Sequence, residues 1–136
     1  VDRLRFDYRE RLQIAAVNSY ALTPAIGAYF TCDGADIHAN RAETDLMLHI
    51  DPDACDMASV QDDPDRTEGK IFNYLVPATS TNGVTGRPSE GTAERGAELL
   101  REMGEALTDI LESARDEEAP LPPHSTGNTP IYPFSR

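Results

Sequence analysis

The tightest constraint on this chain is a long amphipathic stretch toward its C-terminal end. Leu99, Leu100, Met103, Leu107, Ile110 and Leu111 recur at the spacing of a single helix face. Such a helix is stable mainly through what covers that face, so the rest of the chain must supply a layer for it. Thr92 stands where an N-cap belongs, and Glu94 in the first turn suits the positive end of the helix dipole.

Upstream segments suggest what that layer contains. Leu12–Tyr20, "LQIAAVNSY", is short and apolar with little alternation, the pattern of a buried strand. Ile71–Val76 carries weaker strand propensity and stops at Pro77. Between them, "LTPAIGAYFTCDGAD" reads as an irregular loop, because Pro24 and Gly27 interrupt it. Helical spacing returns from Ala39 to His49, with Ala42, Leu46 and either His49 or Ile50 on one face, and Asp51-Pro52 ends it. "MASVQDDPDRTEGK" is acidic, polar and proline-interrupted, as a surface loop is.

The chain opens helically at once, with Leu4, Tyr8 and Leu12 on one stripe, and reads as if entered partway through a fold. The order helix, strand, helix, weak strand, helix predicts an α/β layered domain over residues 1–115. Residues 116–136 form a proline-rich tail holding five of the ten prolines. Ile131, Tyr132 and Phe134 are too apolar for a purely solvated segment, so the tail is expected to pack on a surface or a neighbouring chain.

Charge excludes some partners. Twenty-four acidic residues against twelve basic ones leave a formal charge of −12, and Lys70 is the only lysine. Neither nucleic acid nor an anionic membrane suits such a surface. No run approaches the roughly 18 apolar residues of a membrane span, and the charged opening "VDRLRFDYRER" is not a signal peptide. Cys32 and Cys55 make no disulfide framework and no CxxC pair, which favours a reducing cytoplasm.

The chemistry-bearing stretch is "GADIHANRAETDLMLHI". His38 stands just before the second helix, where a scaffold can present an acid or base, and Glu43 follows about one turn inside. Asp36 could orient the imidazole, as a carboxylate beside a working histidine often does. The plainer alternatives remain open: a capping histidine, a solvated glutamate and an aspartate in a turn. His49 suits the helix C-terminus, and His124 lies in the tail. Asp51, Asp53 and Asp56 lack the glycine and terminal glutamate of a calcium loop. "NGVTG" could aim amides at an anion but more often is simply a turn. A hydrolytic metal needs about three to five protein ligands, and no such spacing occurs in this sequence.

Two motifs carry a family resemblance. "DIHANRAETDLML", from Asp36 to Leu48, resembles the "D-x-H-A-G-x-x-E-T-S-L-M-L" signature of the creatininase (creatinine amidohydrolase) family. "NGVTGRPSEGTAERGAELL", from Asn82 to Leu100, resembles that family's later "S-G-V-x-G-D-P-x-x-A-T-A-E-K-G-x-x-L-L" segment. The resemblance implies a metal-dependent hydrolase of C–N bonds on a three-layer α/β/α sandwich, in a family that is often hexameric.

The family's Glu-x-His group and its "N-G-H-G-G-N" motif, which hold most metal ligands, do not occur in this sequence. The chain therefore resembles the C-terminal half of such a domain. The implication is a partner chain, the N-terminal half, that carries most ligands for one or two divalent ions (zinc, manganese or iron). The pair would assemble into a higher oligomer and act on a small-molecule amide.

By the same resemblance His38 is the proton donor to the leaving nitrogen, with Asp36 beside it, and Glu43 is a metal ligand. Asn40 replaces the family's glycine, Asp45 its serine and Arg87 its aspartate. Asn40 and Asp45 are thus expected to flank a substrate other than creatinine. Tyr29 and Phe30 are expected to line its pocket, with core packing as the alternative. A non-catalytic structural or regulatory subunit that kept the half-fold is the rival reading.

Overall fold

The computed structural model describes residues 1–8 and 13–118. Five helices occur in it: α1 (Asp2–Asp7), α2 (Pro24–Phe30), α3 (Arg41–Ile50), α4 (Val76–Thr79) and α5 (Ala93–Arg115). Single 3-10 turns lie at Ser19–Ala21, Pro52–Ala54 and Pro88–Glu90. The chain divides into two units. One comprises Val17–Ile110, the other Val1–Ala16 with Leu111–Arg136.

In the smaller unit α1 buries none of its residues. Arg5 Nε donates to the Ile14 carbonyl at 2.9 Å, and Arg3–Asp7 and Arg5–Asp2 pair loosely on the surface. Leu4 and Tyr8 of the expected stripe are both exposed. Leu12 and the tail from Ala119 onward lie outside the described residues.

Val17–Ile110 holds the core: Ile26, Phe30, Ala42 and Leu99 are buried, with Leu22, Ile37, Leu46 and Met103 packed around them. The four buried residues come from α2, α3 and α5, and the long amphipathic helix is covered only in part: Leu99 is buried and Met103 packs on the core, while Leu100, Leu107 and Leu111 stay exposed. Its start is as the sequence indicates, with the Thr92 hydroxyl accepting from Arg95 N at 3.3 Å.

α2 corrects the sequence reading, which made this segment a loop. Pro24 occupies the first turn, where its missing N–H costs nothing. Thr23 caps the helix, its hydroxyl accepting from Ile26 N at 3.1 Å. Gly27 is tolerated within the helix, and Ile26 and Phe30, four residues apart, form its buried face.

The expected strands are a second correction. No strand occurs among the described residues. Residues 13–18 and 71–75 are irregular, and Val76–Thr79 is helical. β-branched and aromatic content makes a segment fit for a sheet, but pairing needs a neighbouring edge. What pairing exists is in two isolated antiparallel bridges, His38 with Thr85 and Asp63 with Gly86.

α3 crosses α5 closely at one point. A Cβ placed on Gly96 would lie 1.9 Å from the Asp45 carbonyl oxygen, so only glycine admits this approach. Ala42 and Asp45 are the buried residues of α3. Of the two candidates for the end of that face, His49 is the one beside Gly96, while Ile50 is 60% exposed.

Candidate active site

The site is built from the N-terminus of α3 backward. Asn40 caps the helix, its side-chain oxygen accepting from Glu43 N at 3.1 Å. Glu43 returns the bond one residue further out, a carboxylate oxygen accepting from Ala39 N at 2.5 Å. The pair works like a capping box and satisfies two amides that the helix itself cannot. Ala39 between them has φ 48°, a left-handed conformation uncommon for any residue but glycine. The family's glycine position thus sits next to the one residue here that turns the chain sharply, immediately after His38.

His38 is held at both its backbone and its ring. Its carbonyl accepts from Thr85 N at 2.9 Å, and its Nδ1 lies on the Gly83 carbonyl oxygen. A carbonyl only accepts, so Nδ1 carries a proton, and Nε2 on an exposed ring is left to exchange one. The two motifs, well separated in sequence, therefore meet at this residue. Thr85, fully buried, joins them again through its hydroxyl, which donates to the Asp36 carbonyl oxygen.

On the far side of the same segment Gly86 pairs with Asp63, through bonds of 3.2 and 2.6 Å. At φ +114° and with Asp33 packed against it, Gly86 has no room for a side chain. The "NGVTG" amides are occupied internally, among them Gly83 N by the Ser80 hydroxyl and Val84 N by Asn82 Oδ1. It is a turn that holds a histidine rather than an anion. Asp63 anchors this turn, accepting from Arg66 at 2.5 Å, Thr81 N at 2.6 Å and the Ser80 hydroxyl at 3.0 Å. Arg66 first, then the Thr81 amide, hold its carboxyl well below the usual range.

Among the described residues no hydrogen bond joins the Asp36 carboxylate to the imidazole. Its carboxylate accepts from the Thr79 hydroxyl at 3.0 Å, and the ring is oriented by Gly83 instead. Nothing in the sequence marks Gly83, because the contact is made by a backbone carbonyl.

The residues expected around a substrate are placed otherwise. Asn40 is 1% exposed, and its amide donates to the Phe30 carbonyl at 2.7 Å and to Asp33 at 3.1 Å. Asp45 is wholly buried. It accepts from the Tyr29 hydroxyl at 2.6 Å, Thr92 N at 2.5 Å and Arg95 Nη2 at 3.2 Å. Both side chains are engaged by internal partners. Phe30 is core, as the alternative reading had it. Tyr29 is half-buried with Arg41 5.4 Å over its ring, and burial, then Asp45, raises its phenol to about 12. Sequence reasoning missed Arg41, Asp33 and Arg95. Asp33 alone fastens Arg41 N at 3.0 Å and Arg87 N at 2.7 Å.

A metal is implied by the motifs, but these residues do not make a site for one. Among the described residues no group of three or more His, Cys, Asp or Glu side chains converges. Glu43, expected as a ligand, has one oxygen engaged by the Ala39 amide and belongs to no group of three or more such side chains among the described residues. Cys32 and Cys55 are free thiols, and Cys32 Sγ takes a contact from Arg41 at 2.7 Å.

The chain belongs to the creatininase family, whose model, described as creatinine amidohydrolase, matches residues 2–111. A comparison with curated proteins found no match. Among solved structures the chain is similar to one described as "Putative creatinine amidohydrolase" from Bacteroides fragilis, with a TM-score of 0.70 at 24% identity. The similarity covers 86% of this chain and 48% of that one, so the chain spans about half of that protein's length. At this identity the likeness concerns the fold, and it fits the α/β class. No helix among the described residues is long and apolar enough to cross a membrane.

Proposed function

We propose that this chain supplies the proton-transfer half of a metal-dependent amidohydrolase centre that cleaves a non-peptide or cyclic amide C–N bond. The observation that carries the reading is the double hold on His38, backbone to Thr85 and ring to Gly83. In this reading the divalent ion, one or two of zinc, manganese or iron, belongs to a complementary half-domain that carries most of the ligands. No part of this chain's role is routed through it.

Breaking an amide C–N bond with water places hydroxide on the acyl carbon and a proton on the departing nitrogen. His38 Nε2 takes the proton from the attacking water and delivers it to that nitrogen, while Nδ1 stays on Gly83 throughout. Glu43 is a positioning residue here. By holding the Ala39 amide it fixes the left-handed turn that aims the imidazole. Asp36 and Thr79 brace the same loop from behind.

The test is His38→Gln in the enzyme assembled with its complementary half-domain. Turnover of a small amide falls by about 10²–10⁴-fold, the worth of a lost general acid–base group. KM and bound metal stay as they were. Unchanged turnover would remove His38 from the reaction and favour a structural or regulatory subunit.

A further inference from the structure

We infer that the cavity beside Asp36 is a subsite for a planar amide that carries a carboxylate. This rests on the amidohydrolase reading only for what becomes of the bound amide. The cavity measures about 360 Å³ and is lined by Asp36, Thr67, Lys70, Phe72, Asn73 and Tyr74. That volume falls at the small end of ligand sites. Asp36, which lines it, stands two residues before His38 in the sequence and is bonded to Thr85, the residue that holds the histidine's backbone. Asp36 carries Thr85's hydroxyl on its carbonyl and Thr79's on its carboxylate.

Three features of the lining select the ligand. Lys70 is the only lysine in a chain of net charge −12. Every arginine among the described residues is ion-paired with a carboxylate. Lys70 is in no such pair among the described residues, which leaves its ammonium to an anion. Asp36 is the one carboxylate in the lining and already accepts from Thr79, so it leaves capacity for a ligand N–H rather than for a second anion.

Phe72 is 74% exposed and Tyr74 49%, so these rings are not spent on the core. They are alternate residues of one segment, and Ile71 and Leu75 on either side are not part of the lining. Aromatic faces next to a lone ammonium suit a flat group with a negative charge at its edge.

The experiment is calorimetric titration of the full chain, without metal, using hippurate as a charged aryl amide and benzamide as its neutral counterpart. Hippurate is expected to bind saturably and more tightly than benzamide, with affinity that falls as salt rises. Lys70→Gln should weaken hippurate about fivefold, the size of an exposed ion pair, and leave benzamide unchanged. Phe72→Ala should weaken both ligands. Both side chains are exposed, and an unchanged far-UV circular dichroism spectrum will show that the fold persists.

Equal affinity for the two ligands, indifference to Lys70→Gln, or no saturable binding would each overturn the subsite. A chain that binds hippurate as predicted but belongs to an assembly that hydrolyses no amide would keep the subsite and lose the amidohydrolase reading. The reverse result would do the opposite.

Discussion

Asp45 shows how one side chain can look like a substrate contact in sequence and be a structural hub in the fold. It departs from the family's serine beside the working stretch, which is why a specificity role was expected of it. Its partners, Thr92 and Arg95, come from the other motif, and nothing in one sequence marks that pairing. With Tyr29, Thr92 N and Arg95 all donating to it, Asp45→Ala should destabilise the chain by about 3 kcal/mol, read from the urea midpoint. Asp45→Asn keeps the shape and tests the charge. In the unaltered protein one of the five tyrosines should ionise near pH 12 by ultraviolet absorbance. A phenol raised in this way adds stability below about pH 10 that is lost as pH climbs toward 12. Asp45→Asn should bring that ionisation down but not to the ordinary value, because burial is the larger cause.

At the scale of elements, periodicity was legible and pairing was not. α3 and α5 follow from apolar spacing and from caps at Asn40 and Thr92. α2 is hidden in the sequence because Pro24 and Gly27 look like breakers, although proline in a first turn after threonine is a start signal. The strands expected near Ile14 and Ile71 have suitable residues but no partner edge among the described ones. The α3–α5 crossing offers the sharpest test of this layer. Gly96→Ala would press a methyl against the Asp45 carbonyl, and should cost about 1–3 kcal/mol by forcing the helices apart. Gly104→Ala on the same helix is its control, since nothing lies within 4 Å of a Cβ there. It should be neutral or slightly stabilising by calorimetric melting.

For the molecule as a whole, the family was visible in two motifs, and the structure shows what joins them: the turn at Gly83 to Thr85 is the support of His38. The imidazole and its brace are therefore contained in this chain, whereas a metal centre is not formed among its described residues. Ile71 and Leu75, 93% and 82% exposed, show how much apolar surface Val17–Ile110 leaves uncovered. In the proposed reading this chain brings the proton-transfer group and a complementary half-domain brings the metal. The most direct measurement is amide hydrolysis, with a divalent metal present, by this chain alone and by this chain mixed with that half-domain. No turnover is expected from the chain alone, and metal-dependent turnover from the pair. Full turnover by this chain alone, or none from a pair that binds metal and assembles, would contradict it.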